Sequence, residues 1–236
     1  MKKNVLIVVA NPSEHPTLHY PVGFWASELF HPISVFNNSD IDWDIASPAG
    51  GQVIMDPMSN PNDSSQYSAW DALSKKFVDD AVFMKQLENT KSLDAINPDD
   101  YDAIMVAGGQ SPMFTFEGAK NLHKLFLSFY ESGKVAAALC HGVAVLNFIT
   151  DASGQFLVAN KQITGFTNAE EDQANAAVNA VVMPWRIEDE LIKKGAIFKK
   201  SEAWKPFAIV DGNLITGQQN MSGEITAQKI VEQLKI

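Results

Sequence analysis

Short apolar runs recur along the chain and alternate with stretches in which apolar residues follow the period of an α-helix. Four of these runs are apolar on both faces, or nearly so, and such strands belong to parallel sheets that helices cover on each side. They are Val5–Val9, Ile41–Ala46, Ala103–Ala107 and Val135–Leu139. The alternation predicts an α/β protein in which right-handed crossovers connect the strands of a mostly parallel sheet.

Two of the helices are predicted from their apolar stripes. The first stripe consists of Leu122, Leu125, Phe126 and Phe129. Gly133 follows it, and a glycine at that position is suited to a left-handed C-terminal cap. The second stripe lies near the C-terminus and consists of Ile225, Ile230, Val231 and Leu234.

Two pairs of short apolar segments predict β-hairpins beside this core. One hairpin is expected over residues 156–164, with its turn at Asn160. The other is expected over residues 207–215, where the Asp211-Gly212 pair favours a tight turn between antiparallel strands.

The segment 47–98 is polar and rich in Pro, Asn, Asp and Ser. We interpret it as a lid-like insertion in a single domain that spans residues 1–236. Three of its aromatic residues, Trp70, Phe77 and Phe83, could contribute to an exposed apolar patch of the kind that chaperones use.

Charge narrows the classes of partner. The 236 residues include 18 Lys and Arg against 28 Asp and Glu, a net charge of −10, and no basic run occurs. Because binding to a phosphate backbone depends on clustered Lys and Arg, neither nucleic acid nor an anionic membrane is expected as a partner. The first apolar run is shorter than a secretory h-region, and no run has the length of a membrane span. A cytoplasmic location is therefore predicted.

Cys140 is the only cysteine and the most informative residue of the chain. It directly follows the predicted strand Val135–Leu139, at the end of the sheet where open α/β folds bind ligands. An apolar helical pattern begins after it, so the thiol lies in a turn of the nucleophile-elbow type. The helix dipole and the neighbouring His141 predict an accessible, ionised thiol, provided that the elbow is bent sharply enough for the two side chains to meet. The alternative is an inert, buried cysteine.

Gly108 and Gly109 follow the preceding strand. Backbone N–H groups at glycines can approach a bound oxygen closely, and one of them together with the His141 amide would form an oxyanion hole. The alternative is a simple turn. Neither a P-loop nor a dinucleotide fingerprint follows these glycines, so no nucleotide cofactor is predicted.

Glu28 is expected on the inward face of a helix that begins near Gly23. Its neighbours three and four residues away are mainly apolar or aromatic, namely Phe24, Trp25, His31 and Pro32. Burial there would raise the pKa of the carboxyl and keep it protonated near neutral pH. A protonated carboxyl facing a thiolate could donate a hydrogen bond to it. A solvated surface glutamate is the alternative.

Glu14, His15 and His19 are the candidates for metal ligands. Pro12 and Pro16 make their segment a loop. A spacing of four residues places two histidines on the same face only in a helix, so it does not indicate a metal site here. No metal and no other cofactor is therefore predicted.

Six segments of the chain together form a recognisable set: Gly23–Pro32, Ala107–Gly109, Ala138–Gly142, Ile163–Glu171, Pro184–Leu191 and Asp211–Gln218. They resemble the DJ-1/PfpI (ThiJ) superfamily, whose fold is like that of class I glutamine amidotransferases. The resemblance is strongest to the heat-shock-chaperone-like branch that includes glyoxalase III. This resemblance covers nearly the whole chain and implies a flavodoxin-like three-layer sandwich that forms a homodimer.

The resemblance also implies roles for individual residues. The implied catalytic residues are Cys140 as nucleophile, His141 as its partner, Glu28 as the acid beside the sulfur and Glu171 as the carboxylate that orients His141. Glu170 is an alternative to Glu171, and the backbone amides of Gly109 and His141 would bind the oxyanion. The chain departs from many members at Gln110-Ser111-Pro112, where they have His-Gly, and this changes the wall of the pocket.

The implied activity is the glutathione-independent conversion of methylglyoxal-type 2-oxoaldehydes to 2-hydroxy acids, with a small reactive carbonyl compound as the substrate. Two alternatives remain: a cysteine hydrolase (a peptidase or an amidase), and a stress chaperone or redox sensor. A glutamine amidotransferase is excluded because it needs a catalytic histidine well downstream of the cysteine. No histidine follows His141.

Overall fold

The structure, a computed structural model, describes residues 2–235. Its strands are β1 (Asn4–Val8), β2 (Ser13–Glu14), β3 (Pro21–Val22), β4 (Asp42–Ser47), β5 (Lys91–Ser92), β6 (Ala103–Val106), β7 (Val135–Leu139), β8 (Gln162–Ile163), β9 (Ile197–Phe198), β10 (Ala208–Asp211) and β11 (Leu214–Gly217). Its α-helices are α1 (Ala26–Asn38), α2 (Ala72–Val78), α3 (Ala81–Gln86), α4 (Pro112–Thr115), α5 (Lys120–Glu131), α6 (Asn168–Val178), α7 (Ile187–Lys193) and α8 (Gly223–Leu234).

A seven-stranded sheet with the order β10-β11-β7-β6-β1-β4-β5 forms the centre of the molecule. All neighbouring pairs are parallel except β10 and β11. The four apolar runs of the sequence correspond to β1, β4, β6 and β7. The predicted α/β class, with a mostly parallel sheet between helices, is therefore confirmed.

The helices α1, α5 and α8 cover the sheet with their apolar faces. On α5 the residues of the predicted stripe are all buried, and Gly133 adopts the left-handed conformation after it with φ 77°. α1 and α8 pack against each other, and α8 also contacts β7 and β11. Phe126 and Phe129 are completely buried, and each such side chain stabilises the fold by roughly 1.5–3 kcal/mol.

One predicted hairpin is present and the other is wrong. β10 and β11 pair antiparallel around the left-handed Gly212, as the Asp-Gly pair predicted. Residues 156–164 form no hairpin, because β8 pairs in parallel with the distant β9. The backbone of Lys161 accepts a hydrogen bond from Ile197, so the long-range partner occupies the edge that the hairpin would have used.

The segment 47–98 contains α2, α3 and the edge strand β5, and its identification as a lid stays a prediction. The prediction of an exposed aromatic patch within this segment is wrong, because two of the three residues are packed inward. Phe77 stacks on Phe30 with ring centroids 5.1 Å apart, and Phe83 is 6% exposed, which leaves Trp70 as the exposed member. Between residues 2 and 235, no helix has the length and apolar character needed to cross a bilayer.

Candidate active site

Cys140 occupies a sharp turn at the carboxyl end of β7. Its φ is 55°, in the left-handed region that a non-glycine residue rarely adopts. A short 3₁₀ helix, Cys140–Phe148, follows directly, where the sequence indicated only a helical pattern. Such strained backbone is characteristic of functional turns, and here it presents the sulfur above the end of the sheet.

The bend brings consecutive side chains together. Cys140 Sγ lies 3.8 Å from His141 Nδ1, and His141 Nε2 lies 2.9 Å from Glu171 Oε1. Phe166 stacks on the imidazole with ring centroids 4.2 Å apart and restricts its rotation. Because an ionised Glu171 can only accept, it holds the proton on Nε2 and leaves the Nδ1 lone pair directed at the sulfur.

Glu170 lies beside Glu171 but has different partners. Its two carboxylate oxygens accept hydrogen bonds from the backbone and hydroxyl of Thr167, from the backbone of Trp204 and from the side chain of Gln218. These contacts fix the start of α6 and hold the adjoining loops. Of the two glutamates left open by the sequence, Glu171 is therefore the one that contacts the imidazole.

Glu28 lies on the inward face of α1 and is completely buried. Its Oε2 accepts a hydrogen bond from the backbone of Gly108 at 2.8 Å, whereas Oε1 has no such partner within residues 2–235. Burial raises the pKa of this carboxyl to about 8, against opposing interactions with Cys140 and Gly108. The carboxyl therefore carries its proton at neutral pH.

The thiol is less acidic than its position at the start of a helix predicts. Burial raises the pKa of Cys140 well above its ordinary value, and the charge of Glu28 raises it further when that carboxyl ionises. The His141 amide lowers the pKa but does not outweigh burial. The expectation of an ionised, accessible thiol is therefore wrong, because Cys140 is only 3% exposed and desolvation outweighs the helix dipole.

The two candidate oxyanion donors are the backbone amides of Gly109 and His141, and both residues line the same cleft as Cys140. The N–H of Gly109 makes no hydrogen bond to any part of the described chain, and Gly109 lines the cleft. Glycine is required at both positions of the pair. A Cβ on Gly108 would lie 2.6 Å from Glu28 Oε2, and one on Gly109 would lie 2.5 Å from the carbonyl oxygen of Gly23.

Asp56 is a residue of the site that sequence analysis missed. It is completely buried, and its two oxygens accept hydrogen bonds from the backbone of Gly23 at 2.8 Å and of Gln110 at 2.7 Å. It thereby fixes the loop before α1 to the loop after β6. Burial raises its pKa to about 7. Its segment is a polar loop without periodicity, so no pattern indicated its burial.

These groups meet at the base of a narrow cleft with a cavity volume of about 100 Å³. Its walls are mostly apolar, and they include Trp25, Phe166, Met183 and Trp204. Neither Lys nor Arg lines it among the residues that the structure describes. A small cavity without a cationic lining suits a small, uncharged ligand.

The candidate metal ligands do not converge. His19 contacts Glu14 at 3.1 Å on the surface, whereas His15 is buried and lies 2.7 Å from the carbonyl oxygen of Val182. Within the described part of the chain, no group of three His, Cys, Asp or Glu residues is arranged to hold a metal ion.

Comparison with known sequences places these residues in a family context. The sequence model described as the DJ-1/PfpI family matches residues 20–233. A probable glutathione-independent glyoxalase of Schizosaccharomyces pombe is 32% identical to this chain, and the match covers 87% of this chain and 88% of the relative. A glutathione-independent glyoxalase of Saccharomyces cerevisiae is 29% identical, with 90% of each chain covered.

Solved structures give the same grouping. The Rapid Encystment Protein 24 kDa of Francisella tularensis is 32% identical with a TM-score of 0.88, over 98% of this chain and 99% of that protein. Glyoxalase III of Candida albicans is 26% identical with a TM-score of 0.78, over 98% of this chain and 96% of that one.

Proposed function

The chain belongs to the DJ-1/PfpI family, and we propose that it is a glutathione-independent glyoxalase that converts methylglyoxal-type 2-oxoaldehydes to 2-hydroxy acids. One observation carries the proposal. Cys140 lies between the imidazole of His141, which Glu171 orients, and the carboxyl of Glu28, whose pKa is about 8. A nucleophile, a base and an acid that remains protonated near neutrality are the groups that an internal proton transfer requires.

The first step forms a bond from sulfur to the aldehyde carbon. Because the resting thiol is protonated, His141 Nδ1 takes its proton as Sγ attacks, in the manner of a base-activated nucleophile. The proton then passes to the aldehyde oxygen and gives a neutral hemithioacetal. The amides of Gly109 and His141 stabilise the negative charge that this oxygen carries in the transition state.

The second step moves a hydrogen between neighbouring carbons. His141, which gave its proton to the aldehyde oxygen in the first step, removes the proton from the former aldehyde carbon while Glu28 donates its proton to the ketone oxygen, and an enediol forms. His141 then returns its proton to the former ketone carbon, and Glu28 recovers a proton from the hydroxyl of the former aldehyde carbon. The aldehyde carbon is thereby oxidised to a thioester and the ketone carbon reduced to an alcohol, so no external oxidant or reductant is needed. Water then cleaves the thioester, releases the 2-hydroxy acid and restores the thiol.

The dimensions of the cleft favour this reaction over a cysteine hydrolase. A peptidase needs a groove that admits an extended chain, whereas this cleft has a volume of about 100 Å³. The absence of Lys and Arg from its described lining also disfavours substrates that carry a carboxylate or phosphate. A small neutral dicarbonyl compound matches both features.

A redox sensor receives less support than an enzyme. Sensor cysteines have a low pKa and an accessible sulfur. Cys140 has the opposite properties, since burial raises its pKa and leaves the residue 3% exposed. A chaperone role loses the aromatic patch on which the expectation rested, because Phe77 and Phe83 are packed inward.

The test is conversion of methylglyoxal to lactate by purified protein in the absence of glutathione. We expect turnover by the wild type and its loss in Cys140→Ala. Lactate formation by Cys140→Ala at the wild-type rate would refute the proposal. An exposed control such as Glu131→Gln should keep full activity.

Location and assembly belong to the same proposal. We assign the protein to the cytoplasm, where a reducing environment keeps the single free thiol active. The homodimer implied by the family resemblance stays a prediction, and sedimentation of the purified protein would measure it.

A further inference from the structure

We propose that Gln110 selects 2-oxoaldehydes over simple aldehydes, with its side-chain Nε2 donating a hydrogen bond to the carbonyl oxygen next to the reacting aldehyde. This inference rests on the proposed function and identifies how the same cleft recognises the second carbonyl. Gln110 directly follows the glycine pair after β6.

The backbone and the side chain of Gln110 are both fixed. Its N–H donates to Asp56 Oδ2 at 2.7 Å, and Asp56 is completely buried. At the other end, the hydroxyl of Tyr20 donates to Gln110 Oε1 at 2.6 Å. Tyr20 stays a donor because burial, the largest effect, and the charge of Asp56 both raise its pKa.

This arrangement leaves one face of the amide without a partner. With Oε1 held by Tyr20, the carboxamide cannot rotate freely, and the position of Nε2 is determined. Nε2 donates to no atom of residues 2–235. It is also not completely buried, so a ligand can reach it. Because Gln110 and Tyr20 both line the cleft, the free N–H groups are available to a bound ligand.

The position of this donor matches the reaction. Gln110 directly follows Gly109, whose free N–H is the candidate donor to the aldehyde oxygen. A 2-oxoaldehyde has its second oxygen on the adjacent carbon, so neighbouring donors along one loop suit neighbouring acceptors. Negative charge increases on that second oxygen as the enediol forms, and a fixed donor then stabilises the transition state more than the ground state.

A hydrogen bond to a neutral acceptor changes affinity by up to about 10-fold, and by more once the acceptor carries charge. Gln110→Met keeps the length of the side chain but has no donor. We expect methylglyoxal affinity to fall about 10-fold in this variant, and kcat/KM to fall at least as much. Tyr20→Phe keeps Gln110 but releases its amide, and a smaller loss in the same direction is expected.

The experiment measures how well each aldehyde protects Cys140 from alkylation by iodoacetamide, which requires binding but no turnover. The probes are methylglyoxal and propanal, which lacks the second oxygen. We expect Gln110→Met to weaken protection by methylglyoxal about 10-fold and to leave protection by propanal unchanged. The exposed control Gln155→Met should alter neither.

The inference would be overturned if Gln110→Met weakened protection by both aldehydes equally. It would also be overturned if neither Gln110→Met nor Tyr20→Phe weakened protection by methylglyoxal. Failure of this inference and failure of the proposed function give different results. If the wild type makes no lactate but methylglyoxal still protects Cys140 in a Gln110-dependent way, the glyoxalase proposal fails and the dicarbonyl site stands.

Discussion

Replacing Glu28 with glutamine should stabilise the protein at neutral pH, although it removes a group on which the proposed reaction depends. Burial raises the pKa of this carboxyl from an ordinary value of 4.5 to about 8 in the folded chain. The folded chain thus holds the proton more tightly than the unfolded chain does. This contribution to stability is complete below pH 4.5 and is lost as the pH rises toward 8.

The magnitude follows from the two pKa values. Each pH unit between them costs up to about 1.4 kcal/mol of the free energy of unfolding, or roughly 5 kcal/mol across the whole window. Between about pH 5 and about pH 7.5 the loss is roughly 3 kcal/mol. Glutamine can still accept the hydrogen bond from Gly108, but it has no proton to lose, so the variant escapes this penalty.

Urea unfolding of the wild type and Glu28→Gln at several pH values measures the effect, because other titrating groups cancel in the difference. We expect the stability advantage of the variant to grow by about 3 kcal/mol between about pH 5 and about pH 7.5. Glu131→Gln, at an exposed position on α5, should show no such growth. Parallel stability curves for wild type and Glu28→Gln would refute the assignment of a buried, protonated carboxyl.

Three further predictions concern activity and packing. Glu171→Gln should lower kcat by about 10²–10⁴-fold, because glutamine no longer fixes which ring nitrogen of His141 carries the proton. Circular dichroism should show an unchanged fold. A kcat near the wild-type value would remove Glu171 from the mechanism. Gly108→Ala should lower the free energy of unfolding in urea by about 1–3 kcal/mol and abolish most of the lactate formation, because the new Cβ would lie 2.6 Å from Glu28 Oε2. Gly118→Ala is the control that should be tolerated, because its Cβ would meet nothing nearer than 3.7 Å. The pH profile of kcat/KM should fall as the pH rises through about 8, where Glu28 loses the proton that the reaction uses; a profile that keeps rising beyond pH 9 would contradict this role for Glu28.

A local sequence pattern predicts those parts of the architecture whose conformation depends on their own residues and not on a distant partner. β1, β6 and β7 are apolar on both faces, so their sequence already indicates a sheet covered by helices. The Asp211-Gly212 turn is likewise local, because its two residues determine the backbone conformation. The hairpin over residues 156–164 was wrong because β8 obtains its partner from β9, more than 30 residues away in the chain.

The candidate site divides in the same way. A nucleophile after a buried strand and a glutamate on an apolar helix face can be identified from sequence periodicity. Asp56 cannot, because its role depends on two backbone N–H groups that come from separate loops. The resting protonation of Cys140 could not be predicted either, since it depends on how completely the fold excludes water from the sulfur.

The most direct test of the account is to identify the atom of the protein that carries the substrate carbons during turnover. Wild-type protein is mixed with methylglyoxal, quenched in acid within the time of one turnover, and mapped by peptide mass spectrometry. The account predicts a mass increase of one methylglyoxal on the peptide that contains Cys140, with the adduct released by hydroxylamine as a thioester would be. Lactate formation without any such adduct on Cys140 would contradict it.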